Sequence, residues 1–178
     1  MNLFLIGFMG TGKSTISREL GRQLSQEVVE MDDLIAKRQG MPISEIFEKY
    51  GEEYFRELET GLLVELQQKN GVIVSCGGGT PMRECNVAEM KKSGVIVLLT
   101  AEPETILERV KHSHARPLLE NHKTAEYIGE LLEKRRDKYE AAADLTVATD
   151  GKNTAAICGE IMEKVEKWGK PQYVKRPD

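Results

Sequence analysis

Residues 1–15, MNLFLIGFMGTGKST, constrain the fold more than any other stretch of the chain. Asn2–Ile6 is a short apolar run closed by glycine, the pattern of a buried strand. Residues 14–24 then carry Ile16, Leu20 and Leu24 at helical spacing. Between them, Gly7-Phe8-Met9-Gly10-Thr11-Gly12-Lys13-Ser14 matches GxxxxGK followed by Ser or Thr, and strand, glycine loop and helix are the context that motif requires. Glycines let the backbone curl so that successive N–H groups point into an anion nest, and the helix start adds its positive dipole end. Lys13 can reach the β- and γ-phosphates of a nucleoside triphosphate, and the Ser14 hydroxyl can ligate Mg²⁺. Gly10, Thr11, Gly12 and Thr15 complete the segment expected to face the phosphates.

The rest of the chain repeats the alternation. Val28–Glu30 reads as a second strand running into the acids Glu30, Asp32 and Asp33. Further strands are expected at 72–75, 95–99 and Leu145–Ala148, and helices at 34–39, 43–49, 52–68, 83–92, 103–109 and Ala125–Ala142. A last amphipathic helix carries Ile157, Ile161 and Val165. Strands alternating with helices predict an α/β three-layer sandwich around a parallel sheet of about five strands. We read residues 1–167 as one domain, with a substrate-binding helical region at about 32–69. The polar, proline-broken segment KHSHARPLLENHK (111–123) is read as a lid, and 168–178 as a tail.

A phosphate loop alone leaves open whether the triphosphate switches a conformation, drives work or donates a phosphoryl group. No Asn-Lys-x-Asp guanine-selecting motif is present, and 178 residues leave little room for a motor module. A small-molecule kinase fits the length if an acceptor site exists. The formal net charge of −4 argues against nucleic acid as partner. No apolar stretch approaches the ~20 residues of a membrane helix. Three cysteines without a CxxC pair suggest reduced thiols and a cytoplasmic location.

Four features can supply the acceptor site. Asp32 follows the second strand, where a carboxylate can orient a hydroxyl or take its proton; Asp33 fits a solvated helix start. In FRELE (55–59), Arg56 and Glu59 are three apart on a helix, so Glu59 can aim the guanidinium fork at a substrate carboxylate, although a plain surface ion pair has the same spacing. Gly77-Gly78-Gly79 exceeds what a tight turn needs, and its open backbone can approach substrate oxygens closely. The fourth is a basic excursion with Arg109 and Arg116, followed by Arg135 on the next helix; the lid arginine Arg116 can neutralise a phosphoryl group in transfer, although a solvated loop has the same composition. His112, His114 and His122 show no ligand spacing and are assigned no role.

Together these residues resemble the shikimate kinase family, small P-loop kinases of the nucleoside monophosphate kinase-like group. GFMGTGKST, Asp32-x-x-Ile35, IFEKYGEEYFRELE, CGGGTP, RPLL and RRDKY occur in that family's order. The resemblance implies a P-loop NTPase fold with a lid, and transfer of the ATP γ-phosphoryl group to the 3-hydroxyl of shikimate on the route to chorismate and the aromatic amino acids. It further implies catalytic roles for Lys13, Asp32 and Arg116, and shikimate contacts from Asp32, Arg56, Gly78, Gly79 and Arg135. Arg109, Pro117 and Lys152 are expected near the adenine, and the enzyme is expected to be a monomer. The family commonly has Asp-x-Asp after the second strand; here the first acid is Glu30, whose part in holding Mg²⁺ beside Ser14 is open. The rival readings are a gluconate-type kinase and a nucleotide-binding regulatory module without catalysis.

Overall fold

The computed structural model describes residues 1–111 and 124–169. Among them, five strands and seven α-helices follow one another as β1 (Asn2–Ile6), α1 (Lys13–Leu24), β2 (Val28–Glu30), α2 (Met31–Gln39), α3 (Ile43–Leu66), β3 (Ile73–Ser75), α4 (Glu84–Ser93), β4 (Gly94–Thr100), α5 (Pro103–Val110), α6 (Ala125–Ala142), β5 (Leu145–Ala148) and α7 (Thr154–Trp168). A short 3-10 turn, Thr80–Met82, precedes α4. The expected lid beyond Lys111, with Arg116, Pro117 and the three histidines, lies outside the described residues, as does the tail from residue 170 onward.

All five strands are parallel, in the order β2-β3-β1-β4-β5. Leu3 lies opposite Ile73 on one side and Val95 on the other, so β1 sits at the centre. Strand periodicity divides the core into two layers. Phe4, Ile6, Val74, Ile96 and Leu98 face Ile46, Phe55, Leu62, Ile106 and Ile128 from α3, α5 and α6. Leu5, Ile73, Val95, Val97 and Leu99 face Ile16, Leu20, Ile157 and Ile161 from α1 and α7. Burial on both faces is why these strands read as continuous apolar runs instead of alternating ones. Among the described residues, no helix is long and apolar enough to cross a membrane.

Two helices differ from expectation for local reasons. α2 begins at Met31 because Asp32 and Asp33 fall in its first turn, where carboxylates complement the helix dipole. The two helices expected at 43–49 and 52–68 form one element bent at Gly51, whose φ of 84° and ψ of 168° are not helical. At the opposite end of α3, the fully buried Asn2 side chain donates to Leu66 O (3.0 Å) and Lys69 O (3.1 Å) and accepts from Val72 N (3.1 Å). These bonds tie the start of β1 to the end of α3.

Because every strand runs the same way, the C-terminal ends share one rim. From β1 the chain crosses one way to β2, and from β3 it crosses back over β1 to β4. The crevice at such a reversal is where open α/β sheets take ligands.

Candidate active site

The loop leaving β1 has three glycines at positive φ: Gly7 (143°), Gly10 (78°) and Gly12 (99°). At Gly7 a side chain would also run into the Leu99 carbonyl oxygen. Gly12 occupies the N-cap of α1 in the left-handed region and offers no side-chain cap; the first turn holds no acid. The first N–H groups of α1 are thereby left for an anion. Thr11, buried, donates its hydroxyl to Phe8 O at 2.8 Å and braces the loop. Lys13 Nζ donates to Gly7 O (2.7 Å) and Phe8 O (3.0 Å), so the ammonium lies across the hollow of its own loop. Thr15 is exposed on the first turn of α1.

In the first turn of α1, Ser14 Oγ donates to Glu30 Oε2 at 2.9 Å, and one turn on Ser17 Oγ donates to Glu30 Oε1 at 3.2 Å. Arg18 Nε stands 3.5 Å from the same Oε1. The hydroxyl and the acid singled out for Mg²⁺ are therefore adjacent, and both are the hard oxygen donors that this ion takes.

Across the crevice, Glu59 is 0% exposed, which removes the surface-pair reading of FRELE. Arg56 Nη1 donates to its Oε2 at 2.6 Å, and Thr80 Oγ1 donates to its Oε1 at 2.5 Å. A second acid, Glu52, accepts from Arg56 Nη2 at 3.0 Å. Burial works against the charge on Arg56, but its bonds to Glu59 and then Glu52 outweigh that and lift its pKa further. The fork lies against the glycine triplet: a Cβ placed on Gly79 would be 2.5 Å from Arg56 Nη2. A Cβ on Gly77 would be 2.8 Å from Asp32 Oδ1 and 3.0 Å from Glu59 Oε1.

Asp32 is an exposed residue whose carboxyl is nonetheless desolvated by the protein around it. Desolvation, followed by the negative charge of Glu59, pushes its carboxyl above the ordinary aspartate range, while Lys13 pulls the other way. A carboxyl so placed holds a proton more readily than a surface aspartate does.

The two neighbouring arginines of α6 part company. Arg135 lies over the Phe8 ring with its Cζ 5.6 Å from the centroid, and its Nη1 is 3.8 Å from where a Gly78 Cβ would stand. Arg136 is exposed and pairs with Glu133 at 2.7 Å. Tyr139, one turn beyond Arg135, donates its hydroxyl to Gly78 O at 2.7 Å and ties α6 to the triplet. Arg109 on α5 donates to Gly10 O (3.0 Å), Thr149 Oγ1 (3.0 Å) and Thr149 O (3.2 Å), bridging the phosphate loop and the segment after β5. Lys152 lies in that segment, held by Glu160 at 2.5 Å.

The site thus brings Lys13, Ser14, Glu30, Asp32, Arg56, Arg135, Gly78 and Gly79 to one rim, with Arg109 and Lys152 at its β5 side. Two contributors carry no assigned role in the sequence reading. Tyr139 was visible only as the end of RRDKY, and Thr80 only as the residue after three glycines. A hydroxyl immediately beyond the triplet was the available signal for Thr80; nothing local signalled its bond to Glu59, 21 residues away.

A phosphate loop on a parallel sheet, facing a second pocket of arginines and a carboxylate, defines a P-loop phosphotransferase with a small anionic acceptor. The family model described as shikimate kinase matches residues 9–166. A shikimate kinase of Geobacter sulfurreducens is 42% identical over 93% of this chain and 91% of its own. One from Dehalococcoides mccartyi is 38% identical over 94% of each chain. Among solved structures, the shikimate kinase of Acinetobacter baumannii in complex with shikimate superposes with a TM-score of 0.87 at 31% identity, over 94% of both chains. The chain belongs to the shikimate kinase family and is an ATP-dependent kinase.

Proposed function

We propose that the chain transfers the γ-phosphoryl group of ATP to the 3-hydroxyl of shikimate, with ADP and shikimate 3-phosphate as products. The observation that carries this reading is the buried Glu59, which aims the Arg56 fork at the glycine triplet while Asp32 stands at the same triplet's first residue. A ring bearing a carboxylate and several hydroxyls matches that arrangement. Arg56 and Arg135 take the carboxylate, Gly78 and Gly79 the ring oxygens, and Asp32 orients the acceptor hydroxyl and accepts its proton.

On the donor side, Gly10–Thr15 would wrap the phosphates, and Lys13 would exchange its bonds to Gly7 O and Phe8 O for phosphate oxygens. Ser14 and Glu30 would hold Mg²⁺, which when bound neutralises phosphate charge. Arg116 would meet the charge on the group in transfer, and Arg109, Pro117 and Lys152 would border the adenine. The hydroxyl held by Asp32 would be the one presented to the γ-phosphate, so the acceptor's orientation would select the position phosphorylated.

ADP formation by the purified protein with ATP and Mg²⁺, with shikimate or gluconate as acceptor, tests the reading. Turnover dependent on shikimate is expected. Preference for gluconate, or ADP formation independent of either acceptor, overturns it.

A further inference from the structure

We infer that Thr80 is a positioning residue for the acceptor, acting through Glu59 on Arg56; the inference rests on Arg56 binding the acceptor carboxylate. Thr80 belongs to a closed circuit of hydrogen bonds. Arg56 Nη1 donates to Glu59 Oε2, and Thr80 Oγ1 donates to Glu59 Oε1. Asn86 Nδ2 donates to Thr80 O at 2.9 Å. The Thr60 hydroxyl is 2.6 Å from Asn86 Oδ1 and 3.0 Å from Arg56 O, which returns the circuit to the backbone of the arginine where it began.

Glu59, Thr80 and Asn86 are all fully buried, so water cannot stand in for a missing member. The carboxylate of Glu59 divides its oxygens: one points the guanidinium at the crevice, the other is held by the Thr80 hydroxyl. Glu59 Oε1 and Asp32 Oδ1 both lie within 3.0 Å of the point where a Gly77 Cβ would stand, so the two oxygens are less than about 6 Å apart. Like charges at that range repel, and the hydroxyl is what keeps Glu59 turned toward Arg56. Without it, the carboxylate is free to pivot, and the fork it holds pivots with it. Gly77 fits the same picture, since any side chain there would press on both acids and on Thr80 Oγ1, 3.2 Å away.

Thr80→Val keeps the β-branched shape and removes the hydroxyl; Thr80→Ser restores it. Steady-state kinetics of both variants and the wild type, with melting curves to establish folding, provide the test. Thr80→Val is expected to raise KM for shikimate about tenfold, in keeping with a lost hydrogen bond to a charged group, while KM for ATP stays within about twofold. Thr80→Ser is expected to return KM for shikimate to within about twofold of wild type. A KM for shikimate unchanged in folded Thr80→Val, an equal rise in KM for ATP, or no recovery in Thr80→Ser overturns the inference. If Thr80→Val does not fold, Thr80→Ser and Thr80→Ala supply the same comparison of hydroxyl present and absent. Wild-type protein that ignores shikimate would instead overturn the proposed function.

Discussion

Ser14 and Glu30 share a hydrogen bond of 2.9 Å that joins the helix start behind the phosphate loop to the C-terminal end of β2. The longer arm of glutamate lets one carboxylate serve Ser14, Ser17 and Arg18 together. Replacing Glu30 with Gln keeps the shape and removes the charge. The Mg²⁺ concentration for half-maximal activity is expected to rise roughly tenfold, with KM for shikimate unchanged. A Mg²⁺ titration at saturating shikimate checks this. An unaltered titration would remove Glu30 from the metal site.

Arg135 and Arg136 are adjacent in sequence and opposite in expectation. Arg135→Ala is expected to raise KM for shikimate by roughly 10- to 100-fold, as loss of a charge-assisted fork does. Arg136→Ala, losing an exposed pair with Glu133, is expected to stay within about twofold. Initial rates across a shikimate series separate the two, and equal effects would contradict the assignment.

Gly79→Ala places a methyl group against a guanidinium that Glu59 and Glu52 hold from the other side. The fork cannot swing clear without giving up one of those bonds. KM for shikimate is expected to rise about tenfold or more while the protein melts within a few degrees of wild type. Calorimetric binding of shikimate to the variant measures the loss directly.

Asp32→Asn sets stability against turnover. The folded chain holds the Asp32 proton more tightly than the unfolded chain, through desolvation and the nearby Glu59 charge. At pH values below the ordinary aspartate range both states are protonated, and the group makes no difference. As pH rises through that range the unfolded chain ionises first, and stability falls until the folded carboxyl has ionised too. The asparagine variant escapes this penalty, so the ligand-free variant is expected to melt above wild type at neutral pH, by a margin that vanishes in acid. The open face of Asp32 keeps the margin small. Its kcat is expected to fall by about 10²- to 10⁴-fold. Thermal melts across pH, paired with turnover, decide the matter; a variant melting lower at neutral pH would contradict the account.

The parts legible in the sequence are those set by near neighbours. β1, β2, β5 and α6 lie where periodicity and glycine punctuation put them, and the phosphate loop carries its own context within fifteen residues. Gly51 was readable as a break, though not as a kink that leaves α3 a single element. Arg56 and Glu59 were readable as a pair because helical spacing is local. The burial of Glu59 was not, since it depends on the loop after β3 folding over the middle of α3 and delivering Thr80. The same long reach hid Tyr139, whose partner Gly78 is 61 residues away.

Asn2 joins two elements of the candidate site at their far end from the crevice. Its amide rivets the strand that delivers the phosphate loop to the helix that delivers Arg56. The phosphate loop and the Arg56 fork are thus linked through a joint that lies away from the rim where they meet. A change at Asn2 would alter their spacing while leaving every side chain of the candidate site in place.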